Sequence, residues 1–112
     1  MRYAIPCVNG KLCMHFGHCQ EFVLIDTDDE KKSITNTQKL VPPPHEPGVL
    51  PQWLHEQGAN VIIAGGMGSR AQQLFQANDI QVVTGAPSDD PAAIVNIYMN
   101  GSLETGTNAC DH

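Results

Sequence analysis

Basic residues are scarce in this chain of 112 residues: six lysines and arginines stand against twelve aspartates and glutamates, a formal net charge of −6. Because nucleic-acid binding depends on neutralising phosphates, this balance argues against a nucleic-acid partner. The chain also lacks any apolar run as long as a membrane-spanning helix, and its start enters a strand pattern at once, without a signal peptide. We therefore expect a cytoplasmic protein with no membrane partner.

Two familiar site motifs are also missing. The glycine-rich stretch at 65–68 is followed by no Walker lysine and does not complete the G-x-G-x-x-G pattern, so nucleotide binding is not supported. The four cysteines include no C-x-x-C pair, which argues against a zinc finger. In a chain without a leader, cysteines are more typical of thiols or metal ligands than of disulfides.

The order of apolar segments predicts the fold class. Hydrophobic residues make up 41% of the chain and charged residues 16%, which is typical of a globular protein of one domain. Periodicity and turn residues predict strands at 2–7, 21–28, 34–41, 61–64 and 80–84, and helices at 49–57, from about 69 to 78, and at 91–100. This order predicts an α/β protein with a mixed five-stranded sheet flanked by helices. The sheet should consist of an antiparallel meander of three strands plus two parallel strands. We expect one domain over 1–103 and a flexible tail over 104–112.

A glycine turn follows the buried apolar run at 61–64. Gly65, Gly66 and Gly68 are expected to permit positive φ and to let a ligand approach the backbone closely. Ser69 and Gln72 have the spacing of a capping box, so a helix should begin near Ser69. Free N–H groups and the helix dipole would then favour an anion there. The alternative is a tight strand-to-helix turn that holds no ligand.

A second segment, residues 13–19, is dense in soft donor atoms. Thiolates and thioethers suit copper(I), zinc and iron–sulfur species, and imidazoles suit zinc, copper and iron. The metal-ligand candidates are Cys13, His15, His18 and Cys19. Phe16 is expected to plug the edge of the core and Met14 to pack.

Two further cysteines need separate treatment. Cys7 lies at a strand end, where we expect structural burial, with ligation as the less favoured alternative. Cys110 and His112 repeat the donor pattern near the end of the chain, and they could close over a bound cluster. The alternative for them is a loose tail.

The two segments are expected to form one site. If the strand at 61–64 lies parallel to the first strand, the loops after both strands emerge at the same end of the sheet, where ligands of open α/β sheets bind. A helix N-terminus contributes about 0.3–2 kcal/mol towards an anion, whereas micromolar affinity needs about 8 kcal/mol. An anionic partner held by metal–ligand bonds would account for both segments together.

These motifs resemble the dinitrogenase iron–molybdenum cofactor biosynthesis family. The resemblance covers about residues 1–103 and rests on the opening six residues, the triplet at 15–17 and the stretch at 61–71. The resemblance implies a ribonuclease H-like fold and a protein that is not an enzyme. It implies instead a carrier that takes a metal–sulfur cluster, of the iron–sulfur or iron–molybdenum type, from a donor protein to an acceptor protein. The cofactor-binding residues it implies, extended here to the start of the helix, are His15, Phe16, Gly17, Gly65, Gly66, Met67, Gly68 and Ser69.

The sequence departs from much of the family around the triplet, where it has Cys13, His18 and Cys19, so the identity of the cluster stays open. One alternative function is a redox- or metal-sensing regulatory module that uses Cys13 and Cys19. A ribonuclease H-like nuclease is less favoured. Such chemistry needs clustered carboxylates to hold Mg²⁺, and Asp26 and Asp28 are the only strand candidates.

Overall fold

The fold is known from a computed structural model, which describes residues 1–13, 20–42, 49–86 and 89–101. In chain order the elements are β1 (Arg2–Val8), β2 (Lys11–Leu12), β3 (Glu21–Asp28), β4 (Ser33–Leu40), α1 (Val49–Glu56), β5 (Val61–Ile63), α2 (Ser69–Ala77), β6 (Gln81–Val83) and α3 (Pro91–Met99). None of these helices is long and apolar enough to cross a membrane.

All strands belong to one mixed sheet with the order β4-β3-β1-β5-β6, and β2 pairs with β1 beside this path. β1, β3 and β4 are antiparallel, whereas β5 lies parallel to β1 and β6 parallel to β5. The α/β architecture is confirmed, with a meander of three strands and two parallel strands. The two-residue β2 is an addition that the sequence did not predict.

The sheet is covered on both faces. One face packs against α1 and α2 through a buried cluster that includes Phe22, Leu54, Ile62 and Phe75. The other face packs against α3 through a cluster of alternate strand residues with Ile94. Since helices on both faces bury a sheet whose parallel strands end together, ligands have access mainly at the carboxyl ends of those strands.

The turns follow the predicted chemistry. The β1–β2 hairpin turns at Asn9 and Gly10, which both have positive φ (54° and 79°), as an Asn-Gly hairpin turn requires. α1 ends at Glu56, and Gly58 terminates it as predicted, with a φ of 82° and an amide that donates to His55 O at 3.0 Å. α3 begins as predicted, with Pro91 in its first turn and Asp90 as its N-cap.

Candidate functional site

The position of β2 brings the start of the 13–19 segment to the carboxyl end of β5. Cys7 of β1 pairs with Glu21 of β3 and also with Leu12 of β2. A strand has two sides, so β2 lies on the side of β1 away from β3, which is the side that β5 occupies nearer the start of the strand. The amide of Cys13 continues the pairing by donating to the carbonyl of Pro6 at 2.8 Å. β2 therefore replaces β5 as the neighbour of β1.

The glycine turn begins at the same height along β1. The pairing of β1 with β5 ends at Ala4 and Ile62. Pro6 and Ala64 each lie two residues further on, roughly 6.6 Å along a strand. Cys13, which is bonded to Pro6, and the turn after Ala64 thus lie at the same end of the sheet. That the two segments form one site stays a prediction.

The far end of the donor segment is attached to the same strand. The amide of Gln20 donates to Cys7 O at 2.9 Å, on the β3 side of β1. Both ends of the segment are therefore fixed at the carboxyl end of β1. Residues 14–19, which include His15, Phe16, Gly17, His18 and Cys19, lie outside the described residues.

The glycine turn has a different conformation from the expected one. Among the described glycines, positive φ occurs at residues 10, 58, 85 and 101 and not at 65, 66 or 68. The turn therefore does not use the positive φ that glycine permits at these three positions. At Gly68 the backbone is extended (φ −64°, ψ 154°), and an added Cβ would meet no atom within 4 Å. Neither backbone strain nor protein packing requires glycine at this position, and the space above its backbone is open.

The N-terminus of α2 has no side-chain cap. Gly68, not Ser69, is the N-cap, so the predicted capping box was wrong. The Gln72 side chain bonds to Met67 O at 2.9 Å instead. The first intrahelical bond runs from Gln72 N to Gly68 O, so the amides of residues 69–71 precede it and have no intrahelical partner. α3 differs, because the Asp90 carboxylate accepts from Ala93 N at 3.2 Å.

Arg70 adds a positive charge to this uncapped end. It is exposed in the first turn of α2, which contains no acidic residue. A cation here opposes the helix dipole, an arrangement that costs about 0.3–1 kcal/mol. An anion bound at the same end would turn this cost into a favourable interaction. Arg70 is not among the site residues predicted from the sequence, and the signal for it is a basic residue where an acidic one would stabilise the helix.

Comparison with known proteins identifies the family. The sequence profile of the dinitrogenase iron-molybdenum cofactor family matches residues 1–101. The chain belongs to this family.

Relatives of this family member share its size and fold. MJ0580, an uncharacterized protein of Methanocaldococcus jannaschii, is 28% identical over 109 residues, covering 93% of this chain and 90% of the relative. The crystal structure of PH0822 is similar with a TM-score of 0.85 at 29% identity, covering 94% of each chain. The apo form of the orange protein from Desulfovibrio gigas has the same fold, with a TM-score of 0.73 at 22% identity over 96% of this chain and 93% of its own.

The described residues of the family motif differ in what they can contact. Met67 is 0% exposed and belongs to the same core cluster as Phe75, so it is part of the core and is not presented to a ligand. Gly65 and Gly66 are also buried, whereas Gly68 is partly exposed and Ser69 is exposed. The accessible part of the turn is therefore the N-terminus of α2.

The two described cysteines have different surroundings. Cys7 is 0% exposed, and its thiol donates to Ile5 O at 3.4 Å, so the predicted structural burial is confirmed. Cys13 is 4% exposed and follows β2 at the carboxyl end of the sheet. Of the predicted metal ligands, Cys13 alone falls within the described residues, and Cys110 and His112 lie outside them. Within those residues no three histidine, cysteine, aspartate or glutamate side chains gather around a common point.

The carboxylates that a nuclease would need are engaged elsewhere. Asp26 accepts from Arg2 Nε at 2.6 Å, and this bond holds the pKa of the carboxyl below its ordinary value. Asp28 accepts from the amides of Glu30 at 3.1 Å and Lys31 at 3.2 Å. Both carboxylates thus stabilise the end of the sheet opposite to the glycine turn.

Proposed function

We propose that this family member binds an anionic metal–sulfur cluster, of the iron–sulfur or iron–molybdenum type, and carries it to an acceptor protein. The cluster is the cargo of a binding protein, not the cofactor of an enzyme. One observation carries the proposal: β2 lies on the β5 side of β1, so Cys13 lies at the same end of the sheet as the turn that opens α2.

Charge supports an anionic cargo. A chain with a formal charge of −6 repels anions in general, so an anion needs a local counter-charge. The uncapped N-terminus of α2 and Arg70 supply one at the carboxyl end of the sheet. The open space at Gly68 would let a bulky group approach these amides.

Metal–ligand bonds are needed in addition, because the helix N-terminus supplies at most about 2 kcal/mol of the 8 kcal/mol that micromolar binding requires. Cys13 and, within the same segment, His15, His18 and Cys19 are the donors we assign to this role, with Cys110 and His112 as further candidates. Soft thiolates suit iron–sulfur species. A cytoplasmic donor protein would load the site and an acceptor protein would empty it.

The two alternatives receive less support. Redox sensing through Cys13 and Cys19 would make no use of the uncapped N-terminus of α2 or of Arg70, both of which favour an anion. A nuclease needs carboxylates grouped to hold Mg²⁺, and Asp26 and Asp28 already have protein partners.

Anaerobic reconstitution tests the proposal. The purified chain is incubated with iron and sulfide, with and without molybdate, and is then desalted and analysed for metal, sulfide and visible absorption. We expect a coloured protein with stoichiometric metal and sulfide. The double variant His15→Ala/His18→Ala should lose the cluster, whereas His55→Ala, an exposed histidine on α1, should keep it. A wild-type chain that stays colourless and metal-free would refute the function.

A further inference from the structure

The chain segment between β6 and α3 contacts both parts of the proposed site. Its described residues, which we call the bridging segment, are Thr84, Gly85, Ala86, Asp89 and Asp90. Gly85 N donates to Gly65 O at 2.8 Å, and Ala86 N donates to Ala64 O at 3.2 Å. The bridging segment therefore holds the first residues of the glycine turn.

The same segment also holds β2. Leu12 N donates to Asp89 O at 2.9 Å, on the side of β2 that faces away from β1. β2 has only two residues, too few to maintain a stable pairing by themselves. Because Asp89 supplies its second neighbour, β2 is bonded on both sides. Leu12 and Ala86 also share one buried cluster, at 0% and 1% exposure.

The Asp89 side chain orients the carbonyl that makes this contact. Its Oδ1 accepts from Asp90 N at 2.8 Å, which fixes the peptide group between the two residues. Asp90 in turn caps α3 through Ala93 N at 3.2 Å. Both aspartates are exposed, and each carboxylate accepts a hydrogen bond from a nearby backbone amide. The backbone carbonyl of Asp89 is the group that bonds to β2.

We propose that Asp89 is a positioning residue of the cargo site: it holds β2, and with it Cys13, against the glycine turn. The expected effect on cargo, slower loss of the cargo, rests on the proposed function. The contact between Asp89 and β2 does not, because exchange of the Leu12 amide measures that contact directly.

The first measurement is amide hydrogen exchange of Leu12 in the apo-protein. Asp89→Ala removes the side-chain acceptor, and we expect Leu12 to exchange roughly threefold to tenfold faster, the factor that one net hydrogen bond represents. Asp89→Asn keeps an acceptor oxygen and should restore the wild-type rate. Two outcomes would overturn the proposal: the wild-type Leu12 amide exchanges as fast as in an unstructured peptide, or its exchange rate is unchanged in Asp89→Ala. The first outcome is measured on the wild type and so does not depend on folding of the variant.

The second measurement is the rate at which a chelator strips iron from the reconstituted protein. Asp89→Ala should lose its iron several times faster than wild type, and Asp89→Asn should match wild type. Asp90→Ala is the destabilised control: it loses the cap of α3 but keeps the carbonyl of Asp89. If Asp90→Ala releases iron as fast as Asp89→Ala, the effect is general destabilisation and the positioning role is refuted. If wild type takes up no iron, the proposed function fails, while the exchange data still decide the contact between Asp89 and β2.

Discussion

Replacement of Gly68 by aspartate should stabilise the apo-protein and weaken cargo binding at the same time. Gly68 is the N-cap of α2, its φ of −64° and ψ of 154° suit any L-residue, and an added Cβ would meet no atom within 4 Å. Aspartate can therefore enter without strain. Its carboxylate would accept from the first amides of α2, which is the position we assign to the anionic cargo.

Three terms contribute to the gain in stability. Aspartate is a better N-cap than glycine by a few tenths of a kcal/mol. Its charge gains about 0.3–1 kcal/mol from the helix dipole, and loss of glycine flexibility in the unfolded chain adds about 0.4–1 kcal/mol. We expect about 1–2 kcal/mol in total, or a rise in Tm of roughly 4–8 °C for a chain of this size.

Binding should change in the opposite direction. The new carboxylate occupies the amides and repels an anion beside it, and two unit charges 4 Å apart near a protein surface interact by up to about 4 kcal/mol. We expect at least a tenfold loss of affinity, which corresponds to about 1.4 kcal/mol. The assays are urea unfolding of the apo-protein and titration of the reconstituted cluster with a competing chelator.

Gly68→Asn is the matched control. It places a neutral acceptor of the same shape at the N-cap, so it should also stabilise the helix but weaken binding less than Gly68→Asp. Added salt should narrow the difference between the two variants, since salt screens exposed charges. If Gly68→Asp is more stable and yet binds the cluster as tightly as wild type, the cargo does not use the N-terminus of α2.

Three further predictions follow from the same structure. Arg70→Gln should stabilise the apo-protein by about 0.3–1 kcal/mol and reduce the salt dependence of cluster binding, and unchanged binding at low salt would contradict its role. Cys13→Ser should alter or abolish the visible spectrum of the reconstituted protein, whereas Cys7→Ser, at a residue 0% exposed, should lower stability and leave the spectrum unchanged. The hydrogen bond from Arg2 lowers the pKa of Asp26 below its ordinary value of 3.8. The contribution of the Asp26 carboxylate to folding stability is therefore fully present above pH 3.8 and is lost as the pH falls through the lowered pKa. Asp26→Asn should lower the free energy of unfolding in urea by about 1 kcal/mol at pH 7, a small loss because the ion pair is partly exposed, and by less at pH 2. An equal loss at both pH values would contradict a role for the ion pair.

Sequence patterns predicted the large elements well because burial determines both the pattern and the structure. The apolar run at 22–25 with polar flanks predicted the strand at Glu21–Asp28, and Asp90-Pro91 predicted the start of α3 through cap chemistry that is local in the chain. The parallel pairing of β6 with β5 followed from the intervening helix α2, which must carry the chain back across the sheet.

The details of the site were less predictable because tertiary contacts decide them. β2 is two residues long, too short to show a period, and it depends on Asp89, which is far away in sequence. The spacing of Ser69 and Gln72 is compatible with a capping box. The helix begins at Ser69 as predicted, but only the extended backbone at Gly68 shows that Gly68, and not Ser69, is its N-cap.

If the proposed function holds, the attachment of Cys13 and Gln20 to adjacent residues of β1 would separate cargo chemistry from folding. Both attachments are backbone hydrogen bonds, at 2.8 Å and 2.9 Å, so they do not depend on which side chains stand at 14–19. Other six-residue sequences could be grafted between these two fixed points while the sheet stays intact. Evolution or protein engineering could thereby change the metal preference of the segment without changing the fold.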